Sequence, residues 1–135
     1  MVVDKGGLVL ARKAGQSVYL GRQLDRNALE ETYSVRVTVE RIYNTASPAV
    51  VLHILCGPEG ALGDFNFMLT EKHTKPIEVA GVLIFFMGVS SGEAEHGKCY
   101  ACNSEVQHSQ KWVDARIRFV ADSSIKIFRG STFAG

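Results

Sequence analysis

Two stretches, one near each end of the chain, alternate side chains with a period of two and leave little room for anything except β-strands. In the first, from Gly7 to Gly21, Leu8, Leu10 and Arg12 share one side and Val9, Ala11 and Lys13 the other. In the second, from Ala115 to Arg129, Arg116 and Arg118 leave one side while Ile117 and Phe119 leave the other. Successive side chains of a strand point to opposite faces, so this pattern gives one buried and one exposed face. Each stretch is interrupted once. The first break, Ala14-Gly15-Gln16-Ser17, contains a glycine that takes a positive φ at little cost. The expectation is a pair of short strands around a tight turn at each end.

The stretch between them, 22–114, reads as a mixture of strands and loops. Asn27-Ala28-Leu29-Glu30 has the form of a capping box with Asn27 as cap, which predicts at most a short helix or an ordered loop. Tyr33 to Ile42 alternates as a strand, and Ala49 to Cys56 reads as a second. The turn chemistry of Asn44 to Pro48 between them predicts a hairpin. Gly57 to Gly63 is a loop, and Phe65-Asn66-Phe67 starts a short strand. Ile77 to Val89 is the most apolar strand, and its core is too short to cross a bilayer. Ser90 to Glu95 reads as a loop, and Lys98 to Asn103 as one edge of a hairpin.

The fold expected is mainly β: a single domain over 1–135 with four to six antiparallel strands in a central sheet. An elaborated loop and hairpin region over 22–114 is inserted between the terminal strands. A chain of 135 residues that is 46% hydrophobic has ample material for one core. The formal net charge of +1 argues against an all-round nucleic-acid or membrane-surface binder and permits one basic face. Three cysteines, an odd number, and an opening without the shape of a signal peptide point to a reducing, cytoplasmic setting.

Chemistry-bearing motifs are few. Cys99 and Cys102, with His96 and His108 nearby, have the spacing of half a zinc site, but a second cysteine knuckle is missing, so the expectation is a plain hairpin without metal. No serine lies in a nucleophile elbow, and neither a phosphate loop nor a dinucleotide fingerprint occurs. His53 lies in an apolar strand and reads as a core histidine. The expectation is a protein that is not an enzyme and carries no cofactor.

A cationic and aromatic set is more informative. Arg116 and Arg118 project from one face, where two guanidinium forks suit a phosphate or pyrophosphate. Trp112 lies close by in sequence and offers a ring face, and Asn103 offers an amide suited to an adenine edge. Phe85 and Phe86 are adjacent, so one enters the core and the other is left as a stacking platform.

The first stretch resembles the opening of the carbon storage regulator family, Leu-x-Leu-x-Arg-Lys-x-Gly-Glu-x-Ile-x-Ile-Gly. Leu8, Leu10, Arg12, Lys13, Gly15 and Gly21 fall in place, with Gln16 where the family has Glu. The second is similar to the family's end, through Arg116, Ile117, Ala121, Ile125, Ile127 and Arg129. Gly130-Ser131 replaces the family's closing acidic pair. The resemblance covers 7–21 and 115–129. It implies a strand-interleaved homodimer or higher homo-oligomer, and an RNA-binding translational regulator in which Arg12 and Arg129 contact RNA. The chain also resembles the phage Thoeris anti-defence family in its size, its neutrality and its arginines and aromatics late in the sequence. That resemblance implies a non-enzymatic sponge in the host cytoplasm that sequesters cyclic ADP-ribose-type signalling nucleotides. Its ligand would be held by Arg116, Arg118, Trp112, Phe85, Phe86 and Asn103.

Overall fold

The computed structural model of the chain describes residues 7–57, 60–71, 75–94 and 110–130. Among them the elements follow in the order β1 (Leu8–Arg12), β2 (Ser17–Gly21), α1 (Leu29–Thr32), β3 (Val35–Tyr43), β4 (Ala49–Cys56), β5 (Gly63–Thr70), β6 (Ile77–Val79), β7 (Val82–Ala94), β8 (Gln110–Val120) and β9 (Lys126–Arg129). The mainly β expectation holds, but the strands make two sheets in place of one. A four-stranded sheet has the order β1-β8-β7-β6 and a five-stranded sheet the order β5-β4-β3-β2-β9. Every neighbouring pair is antiparallel.

The two sheets bury their inner faces against each other in one apolar cluster. Val18, Leu20, Val35, Val37, Val39, Val50, Leu52 and Ile54 come from the larger sheet. Leu10, Val82, Ile84, Phe86, Ala115, Ile117 and Phe119 come from the smaller. Fully burying a side chain of this kind is worth ~1.5–3 kcal/mol, so valine-rich alternation is enough to hold the layers together.

The break at Gly15 does not close a hairpin. β1 pairs with β8, whereas β2 pairs with β3 and β9, so the chain crosses there from one sheet to the other. Gly15 has φ 89° and its N–H donates to the Val39 carbonyl at 2.7 Å, while the Val39 N–H donates to Gln16 O at 3.0 Å. The crossing is thus tied to β3. The second break, near Asp122, crosses back from β8 to β9. The strands that the family resemblance gives to a second chain find partners within this one.

Three further expectations are corrected. Ile77 to Val89 is interrupted by a two-residue turn in which Ala80 and Gly81 both have positive φ, 49° and 80°. This is the backbone that matches the twist of a tight hairpin. β7 then continues through Ser90 to Ala94, where the composition suggests a loop, and it carries a bulge between Phe86 and Val89. Asn27 caps nothing: Ala28 holds the cap position, and the Asn27 N–H donates to Asp25 Oδ1 at 2.9 Å. The stretch 22–114 supplies the strands from β3 to β7: β3, β4 and β7 lie inside their sheets, and β5 and β6 each end one.

Candidate functional site

β8 sorts its side chains cleanly. Ala115, Ile117 and Phe119 point inward and are at most 1% exposed, so Arg116 and Arg118 stand on the outer face of the four-stranded sheet. Arg118 is paired with Val9 of β1 on one side and Phe85 of β7 on the other. Its guanidinium carbon lies 5.2 Å from the Phe85 ring centroid, within cation–π range. Phe86, the adjacent ring, is 9% exposed and belongs to the core. The two phenylalanines thus divide as their adjacency requires, and Phe85 is the one on the outer face, beneath Arg118.

Arg116 is paired with Ala11 and on its other side faces the β7 bulge, where its Nη2 donates to Met87 O at 3.5 Å. Gly88, in the bulge, has φ 109°. A Cβ there would lie 3.2 Å from Glu71 Oε1 and 3.7 Å from Arg116 Nη2. A carboxylate and a guanidinium therefore approach each other over a backbone with no side chain.

Trp112 shares this outer face at its far end and is 39% exposed. It lies over Gly92, its cross-strand partner, so closely that a Cβ there would come within 2.3 Å of the indole. Along a strand the six positions from Trp112 to Arg118 span roughly 20 Å. Asp114 stands between them, so Trp112 and Phe85 do not serve one small ring together.

Arg12 and Arg129 do not join this group. Arg12 is corrected from ligand contact to structure: it points inward and is 6% exposed. Its Nη1 donates to Ser17 O at 3.2 Å and Gly130 O at 3.4 Å, and its Nε to Ala11 O at 3.1 Å. Burial lowers its pKa, the charge of Arg129 lowers it further, and Asp114 opposes both. Arg129 is exposed on β9, in the other sheet. Asn103, with His96, Cys99, Cys102 and His108, lies outside the described residues.

His53 is not a core histidine. It sits on the outer face of the five-stranded sheet, its side chain 28% exposed, between carboxylates from the strands on either side. Nε2 is 2.5 Å from Asp64 Oδ1 and Nδ1 is 3.6 Å from Glu40 Oε1. Glu40 lies at a bulge of β3 between Val39 and Arg41, which no sequence spacing signals. Nε2 is within hydrogen-bond distance of Asp64, whereas Glu40 approaches Nδ1 only at the longer range of an ion pair. Among the described residues no group of three or more potential metal ligands is suited to holding an ion. No helix of the described chain is long and apolar enough to cross a membrane.

Comparison with family models, with curated proteins and with solved structures finds no match.

Proposed function

We propose that this is a non-enzymatic nucleotide-binding protein that holds a phosphate-bearing nucleoside on the outer face of its four-stranded sheet. The observation that carries the reading is the juxtaposition of Arg116, Arg118 and Phe85 on one exposed face. Their guanidinium forks match phosphate oxygens. A base stacks beside the Arg118 guanidinium, which rests on Phe85. Binding without turnover is the property of a sponge, and a cyclic ADP-ribose-type signal has the required pyrophosphate and adenine.

Mass spectrometry of small molecules released by heating the purified protein tests this directly. The expected result is an intact nucleotide, together with recovery of added cyclic ADP-ribose unchanged after prolonged incubation. Product that accumulates with time and protein concentration would count against a sponge.

A second reading is binding of single-stranded RNA, favoured by the length of the outer strip from Trp112 to Arg118. Cations with aromatics at intervals along a sheet face suit successive nucleotides. The carbon storage mode of contact through Arg12 is disfavoured by its burial. A gel shift that weakens with salt and depends on Arg116 and Trp112 would select this reading. A second copy of the chain is a further proposed partner. β1 and β9 each end a sheet and offer unpaired backbone edges to it. Sedimentation as a monomer at every concentration removes that part.

A further inference from the structure

Four of the described strands end a sheet: β1, β5, β6 and β9. An edge strand leaves a row of backbone N–H and C=O groups unpaired, and natural edges are blunted by shortness, by charged residues or Pro, or by a bulge. Three of the four follow that rule. β6 has three residues, β9 has four with Lys126 and Arg129 among them, and β1 has five and ends in the inward-pointing Arg12. β5 departs from it. It has eight residues, Gly-Asp-Phe-Asn-Phe-Met-Leu-Thr, without Lys, Arg or Pro. Its register with β4 runs from Ala49↔Thr70 to Cys56↔Gly63 without a bulge. At ~3.4 Å per residue it offers an uninterrupted edge of roughly 27 Å.

The side chains beside that edge are apolar and incompletely covered. Phe65, Phe67 and Leu69 lie on the core side of the strand, opposite Ile54, Leu52 and Val50. Exposure rises along this row, from 6% at Leu69 through half-buried Phe67 to 45% at Phe65. The Phe65 and Phe67 ring centroids are 6.1 Å apart. On the other face Met68 is 55% exposed. Asp64 is the one charge of the strand, and it is turned back to His53 of β4, with Oδ1 2.5 Å from Nε2. An edge of this kind is completed by adding a strand.

A second β5 meets every requirement. Two copies related by a two-fold axis run antiparallel, so the same residues supply both sides. With the axis at Asn66, Phe65 of each copy stands opposite Phe67 of the other, and Gly63 opposite Leu69. The uncovered end of one row thus lies beside the covered end of the other. Asn66 meets its own copy, and each amide brings both a donor and an acceptor. Asp64 stands opposite Met68, so like charges do not face each other.

We infer that β5 is a dimer interface, at which a second copy of this chain joins two five-stranded sheets into one of ten strands. The pairing does not rest on nucleotide binding, which uses the other sheet, and it takes a different edge from β1 and β9.

Sedimentation of the full chain from micromolar to millimolar concentration, with amide hydrogen exchange followed by NMR, tests it. One added strand pair is a small interface, so a dimer that dissociates in the micromolar range is expected. The alternate amides of Gly63–Thr70 that point away from β4 should exchange slowly in the dimer and fast on dilution. Phe65→Lys should weaken dimerisation about a hundredfold, because the axis repeats the substitution and each buried lysine costs about tenfold. Asn66→Lys sets two like charges face to face and should weaken it about tenfold. Val9→Lys, on the β1 edge, should leave it unchanged. A chain that stays monomeric to millimolar concentration overturns the proposal and leaves the edge to an extended segment of another protein. A dimer that keeps its affinity in the folded Asn66→Lys variant overturns it too, as does one whose β5 amides all exchange as fast as in the monomer. If Phe65→Lys does not fold, Asn66→Lys on the exposed face and the wild-type exchange pattern decide.

Discussion

Arg118 lies over Phe85 across the β7–β8 ladder, 5.2 Å from guanidinium carbon to ring centroid. The contact holds the guanidinium in place before a ligand arrives, so less freedom is lost on binding. Arg118→Ala removes both the charge-assisted bond and the ring contact. A charged hydrogen bond is worth ~1.5–3 kcal/mol, so affinity for a cyclic ADP-ribose isomer should fall by about one to two decades. Lysine at 118 should not restore it fully, for want of the planar fork. Isothermal titration of wild type, Arg116→Ala, Arg118→Ala and Arg118→Lys measures this; equal affinities would remove the site.

Arg12 should behave in the opposite way. Its loss removes the side-chain donor to the Gly130 carbonyl and one of two donors to Ser17 O, which keeps the Gly130 N–H, and an unsatisfied buried acceptor costs ~1–3 kcal/mol. Arg12→Ala should lower the urea midpoint by a corresponding amount and leave nucleotide affinity of the folded protein unchanged. An unaltered midpoint with lost binding would return Arg12 to the ligand.

Tyr19 gives the protein an alkaline limit. Burial disfavours its phenolate, and the hydroxyl donates to a Glu30 carboxylate oxygen, so its pKa is pushed up from 10.0 to about 12. The folded state therefore holds this proton more tightly than the unfolded chain does. The resulting stabilisation is complete below pH 10.0 and is lost as pH rises to about 12. Denaturant midpoints across that window should fall steeply for wild type and less steeply for Tyr19→Phe.

Trp112 is the sole tryptophan, so its fluorescence reports one place. Gly92→Ala puts a β-carbon within 2.3 Å of the indole and must push the ring outward. The emission should shift to the red as the ring becomes more hydrated, with the fold retained by circular dichroism. An unchanged spectrum would mean that the ring does not rest on Gly92.

The outer-face group was legible in the sequence because it depends only on alternation. Ile117 and Phe119 are apolar, so Arg116 and Arg118 had to face outward, and adjacency had to divide Phe85 from Phe86. Other features depend on contacts between distant segments. The sheet crossing at Gly15 follows from the preference of β1 for β8, which no local pattern encodes. Arg12 looks like an exposed strand residue, and only the carbonyls of Ser17 and Gly130, brought in by folding, make its burial tolerable. His53 reads as a core residue because its neighbours Leu52 and Ile54 are apolar, yet alternation sets it on the opposite face from both. The turn at Ala80 was hidden because alanine is a poor marker for a positive φ.

In β7, Met87 and Gly88 together occupy the position opposite Arg116 that a regular strand would fill with one residue. Val82, Ile84 and Phe86 point inward before the bulge, and Val89 opposite Ala115 resumes the inward row after it. Chain length is therefore forgiving here. Deleting Gly88 leaves a plain alternation, with Phe86 and Val89 still facing the core and Met87 alone between them. A deletion anywhere else in the strand would turn every following side chain to the wrong face. Shortened by that one residue, β7 would keep its core face while straightening beneath Arg116.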